Sequence, residues 1–240
     1  MVLSIMASLT DTFNIFFWGT FGFFILKYSV NGKQWFWPVL YVMVSIILMY
    51  FVNMGVFQDK CGFSNAGIVF KATFLPWVFI FGMMVVIITV FPGWKSPFSN
   101  TLGYMLALLS PSTSELTNHV KKDLIMVKND PLLFINQINM SNIEDIEALL
   151  LETNVFNIDD ATIKQQVIVL IQNLVFMKEL ISEWVWFMLT GFVTISTSYN
   201  LLANETCKTS VEQQSDTYNK SVVQEDTPTV KSSRVYYVDE

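Results

Sequence analysis

The sequence predicts an all-α membrane protein with three to four transmembrane helices, a small helical extramembrane domain and a disordered C-terminal tail. Composition is the first of three observations behind this. The 240 residues are 52% hydrophobic and only 14% charged, where an ordinary soluble domain carries roughly a quarter charged residues. Partition of the charges is the second: residues 1–94 hold only Asp11, Lys27, Lys33, Asp59, Lys60 and Lys71, whereas residues 205–240 hold eleven. The third is the pair of uncharged runs from Gln34 to Gln58 and from Ala72 to Trp94. Each exceeds the roughly 18 apolar residues that mark a membrane-spanning helix. A free-floating soluble enzyme is thereby excluded as the default reading.

Residues 1–9 are expected along the membrane interface, without the basic region and small-residue cleavage site of a signal peptide. A first span over residues 10–30 is built on Phe13, Ile15, Phe16, Phe17 and Trp18. Asp11 and Lys27 fall near its ends, because a charge at mid-bilayer costs about 2.5–3.5 kcal/mol on insertion scales. A second span over 35–57 opens with Trp35, Phe36 and Trp37, rings suited to the headgroup level, and carries Pro38 in its first turn where a missing N–H matters least. A third over 72–91 ends at Pro92-Gly93-Trp94-Lys95, which supplies a helix stop, an aromatic anchor and a basic flank. The apolar stretch within 95–110 is too short to cross and is placed in the interface or against the spans.

Charges return over residues 111–183, where the apolar positions become spaced rather than continuous, as in a helical domain. Ser141 and Glu144 fit a capping box that starts a helix ending near Asn154, with Ile143, Ile146, Leu149 and Leu150 on one face. A second helix from Asp159 or Asp160 carries Val167, Ile168, Ile171, Leu174, Val175 and Ile181 as its buried stripe. A fourth span over 184–203 is diluted by Thr190, Thr194, Ser196, Thr197, Ser198 and Asn200. Their hydroxyls and amide can bond within the helix or across to neighbours, so the segment suits the inside of a bundle. Its alternative is an interfacial helix continuing the preceding one. Residues 204–240 form the polar tail.

Lysine counts in the short loops favour the first loop and the helical domain on the cytoplasmic side, with both termini opposite. That topology brings Cys61 and Cys207 to one membrane face as a candidate disulfide, with two unpaired thiols as the other reading. Acceptor triplets for N-glycosylation begin at Asn139, Asn204 and Asn219, of which Asn219 is the accessible one on this topology.

A net charge of −6 and a single arginine, Arg234, argue against nucleic acid as a partner, since phosphates demand clustered Lys/Arg. No nucleophile-elbow, zinc-protease, phosphate-loop or CxxC pattern occurs, so no catalytic, cofactor or metal residue is assigned and the chain is not read as an enzyme. His119, beside Lys121 and Lys122, is read as a solvated surface residue. The stretch with Glu144, Asp145, Glu147, Glu152, Asp159 and Asp160 is read as a solvated helix face, or as a docking surface for a basic shell protein. Neither charged rings nor a carbonyl filter motif indicates a pore, and helix–helix bonding accounts for Asn14 and Asn53.

Two segments carry a resemblance. The run Phe74 to Gly82 (FLPWVFIFG) with Phe91 to Tyr104 (FPGWKSPFSNTLGY), and later Glu183 to Trp186 (EWVW) and Ser196 to Asn200 (STSYN) with Cys207, resemble uncharacterised membrane proteins of large nucleocytoplasmic DNA viruses of algae and protists. The similarity covers roughly residues 35 to 210. It implies a structural viral membrane protein, a minor virion component linking the inner membrane to the icosahedral capsid. The partners implied are the lipid bilayer and capsid or minor capsid proteins, with homo-oligomerisation open and the location the viral inner or a host-derived membrane. An ion-conducting channel and a membrane-remodelling protein absent from virions are the alternatives. In the tail, Arg234, Val235, Tyr236, Tyr237 and Val238 form a β-prone run suited to adding a strand to a partner's sheet edge. The polar stretch before it would reach roughly 30 Å as a coil.

Overall fold

A computed structural model describes residues 2–30, 36–121, 132–140, 142–157 and 160–207. It divides the chain into the units Met1–Asn204 and Glu205–Glu240; of the second, only residues 205–207 are described. Among the described residues there is no strand, only an isolated antiparallel bridge between Val120 and Phe156. Helices α1 (Val2–Ser29), α2 (Phe36–Cys61), α3 (Ala66–Val90) and α6 (Ala161–Asn204) are each long and apolar enough to cross a bilayer. The protein is a multi-pass, all-α membrane protein.

Period-four stripes build the bundle. Thr12, Phe16, Thr20 and Phe24 are the buried face of α1, while Trp18, Phe21 and Ile25 point outward. On α2 the stripe is Tyr41, Ser45, Met49, Asn53 and Phe57. Such i, i+4 rows are the ridges by which helices interlock. Helices α1 and α6 run antiparallel, since Phe16 meets Phe192, Phe24 meets Phe187 and Lys27 meets Glu183. Outward residues such as Phe51, Phe79, Val86 and Val90 are exposed and apolar, as a surface solvated by hydrocarbon requires.

Several boundaries differ from the sequence expectation. Residues 2–9 are the first turns of α1, not a separate segment; no Gly or Pro interrupts them. The third span begins at Ala66, before Lys71, because Gly62 turns the chain at φ +74° and the Asn65 side chain caps α3 by accepting the Ile68 N–H at 3.2 Å. Helix α3 continues through Pro76 by widening into a π-helical turn, Trp77–Gly82.

From Pro92 to Ala107 the chain forms short helical turns, with Ser99, Gly103 and Ala107 packed inward. Helix α4 (Pro111–Thr117) and helix α5 (Ile146–Thr153) follow. The expected capping residue Ser141 lies outside the described residues. Regular α5 instead starts after a 3-10 turn, Ile143–Asp145, and closes where Asn154 turns left-handed at φ 46°.

The largest departure is α6. The expected second helix of the outer domain and the fourth span are one continuous helix of 44 residues, because nothing between Ile181 and Trp186 breaks a helix. At 1.5 Å per residue it is about 66 Å long, twice the roughly 30 Å hydrocarbon core. Its second half completes the bundle. Its first half supplies Val167, Ile171, Leu174 and Val175 to an outer core with Leu116, Ile135, Ile146, Leu150 and Phe156. The outer helices therefore share a compact unit with the spans.

Candidate functional site

Two polar constellations stand out. The first lies among α2, α3 and α6. Pro76 has no N–H, so the carbonyl of Ala72, four residues earlier, loses its helical donor. The Ser198 hydroxyl donates to that carbonyl at 2.7 Å. The Asn53 amide donates in turn to Ser198 Oγ at 2.9 Å and to Thr73 Oγ1 at 2.8 Å. All three side chains are buried, where unpaired polar groups would be costly. Three helices are thus joined by polar bonds around a missing backbone bond in one of them, the arrangement by which spans tolerate proline. A turn away, the wholly buried Trp77 ring packs on Phe81 and Phe16.

The second constellation is a hub on one stretch of α6, Lys178 to Trp186, where the helix leaves the bundle. Lys178 Nζ donates to Asn100 Oδ1 at 3.0 Å and to the Ile135 carbonyl at 2.9 Å. Glu179 accepts from the Met140 N–H at 2.6 Å and lies 3.7 Å from Lys95 Nζ. Ser182 Oγ donates to the Lys95 carbonyl at 2.6 Å, and Trp186 Nε1 to the Trp94 carbonyl at 2.9 Å. Lys27 closes the hub from α1, with Nζ at 2.8 Å from both oxygens of Glu183 and each side chain 7% exposed. Charge-assisted bonds of this kind are stronger than those between neutral groups. Chemically the hub neutralises and fixes; it joins α1, the Pro92–Ala107 connector and the outer layer to a single helix.

At the opposite end of the bundle, Lys60 Nζ donates to the carbonyls of Leu202 and Ala203 at 2.9 and 2.7 Å. A cation there satisfies the orphan acceptors of a helix C-terminus.

The sequence-predicted residues fall as follows. Cys61 ends α2, Cys207 lies in the second unit, and neither is a free thiol. Residues Arg234, Val235, Tyr236, Tyr237 and Val238 lie outside the described residues. The half-buried His119 pairs through its carbonyl with the Asn157 N–H at 3.0 Å. Asp145, Glu152 and Asp160 are exposed; Asp159 lies outside the described residues. Asn53 bonds between helices as expected, but Asn14 stands exposed on α1 and takes no part in the bundle, because it falls off the period-four stripe.

Sequence reasoning missed the hub. It placed Lys27 near the end of the first span and residue 183 at the end of the helical domain, without pairing Lys27 and Glu183. Their opposite charges at span ends on one predicted side were the available signal. Comparison with protein-family models, curated proteins and solved structures finds no match to this chain.

Proposed function

We propose that the protein is a structural membrane anchor: a minor virion component of a large DNA virus that ties the internal membrane to the capsid shell. The observation that carries this reading is the hub on α6. It makes the bundle and the outer helices one mechanical body, so load applied to the outer layer passes into a 44-residue helix seated among the spans. The resemblance of residues 74–104 and 183–207 to membrane proteins of such viruses supplies the setting. The polar groups within the spans support a static role. Asn53, Thr73 and Ser198 spend their bonds on each other and on Ala72, and the Lys27 charge is held by Glu183; ion conduction instead requires polar groups facing a water-filled path.

The test is quantitative mass spectrometry of purified particles before and after detergent stripping of any outer envelope. A structural component stays with the particle at constant stoichiometry to the shell protein. Recovery only in infected-cell membranes would overturn the reading in favour of membrane remodelling, and single-channel currents from reconstituted protein would favour a channel.

A further inference from the structure

An apolar groove of about 650 Å³ opens where the last turns of α1, the middle of α6 and the corner after the connector meet. Its walls include Phe21, Ile25, Leu109, Met177 and Ile181. The volume lies in the range of small-molecule sites, roughly 300–1,000 Å³. Two observations identify what fills it.

First, the mouth is continuous with the lipid-facing surface. Phe21 and Ile25 line the groove and also belong to the exposed face of α1. The groove lies at the level of the Lys27–Glu183 pair, for Tyr28 and Trp184 directly follow those residues in sequence and line it. Tyr28 and Trp184 there are rings of the kind found at the headgroup level. Second, the connector and the turn after it are amphipathic. Ser99, Gly103 and Ala107 face α6, while Leu102, Met105, Leu106 and Leu109, spaced i, i+3, i+4 and i+7, are exposed, Leu109 at 79%. A helical segment beside the spans with that pattern lies in the interface with its apolar face toward acyl chains.

We propose that the groove is a lipid site: it holds one acyl chain of a phospholipid from the leaflet on the side of the outer helical layer. The chain inserts between α1 and α6 beneath Leu109, with its headgroup near the hydroxyls of Tyr28 and Ser110. The proposal rests on membrane embedding alone and is independent of any role in a virion.

The test uses the full-length protein in nanodiscs containing phospholipid with a photoactivatable diazirine on the acyl chain, with labelled residues mapped by peptide mass spectrometry. Labelling is expected to concentrate on Met177, Ile181 and Leu109 and to exceed that of Phe79, on the outward face of α3, which reports ordinary annular lipid. Ile181→Trp, which fills the groove, is expected to reduce groove labelling to the Phe79 level. Leu109→Gln, on the exposed wall, provides a variant that leaves the packed core untouched and is expected to act in the same direction. Groove labelling no stronger than at Phe79, or unchanged in both variants, overturns the proposal. So do crosslinks from the groove to a second copy or to another segment of the chain, which would identify a protein occupant.

Discussion

The Ser198 hydroxyl replaces a missing backbone donor: it bonds the Ala72 carbonyl at 2.7 Å, where Pro76 has no N–H to offer. One hydroxyl on α6 therefore stabilises a proline-containing span that would otherwise bury an unsatisfied acceptor. Ser198→Ala is expected to cost about 1–2 kcal/mol of stability in detergent. In Pro76→Ala, where the helix can regain its own bond, the same substitution is expected to cost less. A double-mutant cycle read by thermal unfolding checks the coupling; equal costs in both backgrounds would contradict it.

Lys27 and Glu183 should behave as a buried pair. Lys27→Met strands a carboxylate and is expected to lose about 3–5 kcal/mol, whereas Lys27→Met with Glu183→Leu is expected to recover most of that loss. Denaturation of the parent and the two variants in one detergent checks the order. A single variant as stable as the parent would show the pair to be solvent-screened.

Gly103 lies directly against α6, where an added Cβ would overlap the Lys178 carbonyl oxygen. Backbone cannot move aside as a side chain can, so Gly103→Ala is expected to destabilise by about 1–3 kcal/mol. Gly19, with open space around its Cα, is the control: Gly19→Ala is expected to leave the melting temperature unchanged or raised.

Topology gives a further expectation. The antiparallel spans place the loop after Cys61 at the same end as Asn204, as the Lys60 bonds to Leu202 and Ala203 require. Tags inserted at Ser64 and after Cys207 should be cleaved from one side of sealed vesicles, and a tag at Ser112 from the other. Cleavage at Ser112 and after Cys207 from one side, with Ser64 cleaved from the other, would mean that α6 does not cross.

The spans were legible because uncharged length and flanking aromatics are properties of local sequence. Their join was not. The outer domain was separated from the fourth span at residue 183, where the charges stop, yet Lys178, Glu179 and Glu183 are buried and paired with Asn100, Met140 and Lys27, partners distant in sequence. Likewise Lys71 argued for a later start of α3, whereas the cap at Asn65 settled the boundary locally. Asn53 and Ser198 were recognisable as helix–helix groups; that Ser198 answers Pro76 required the register between α3 and α6.

The proposed role, a membrane-seated helix that carries the outer layer to a capsid shell, is checked by crosslinking mass spectrometry on intact purified virions. Lysine crosslinks are expected from the outer layer, at Lys121 or Lys164, to a capsid or minor capsid protein, with the chain retained in the internal membrane. Absence of the chain from particles, or its presence with crosslinks only to itself, would contradict it.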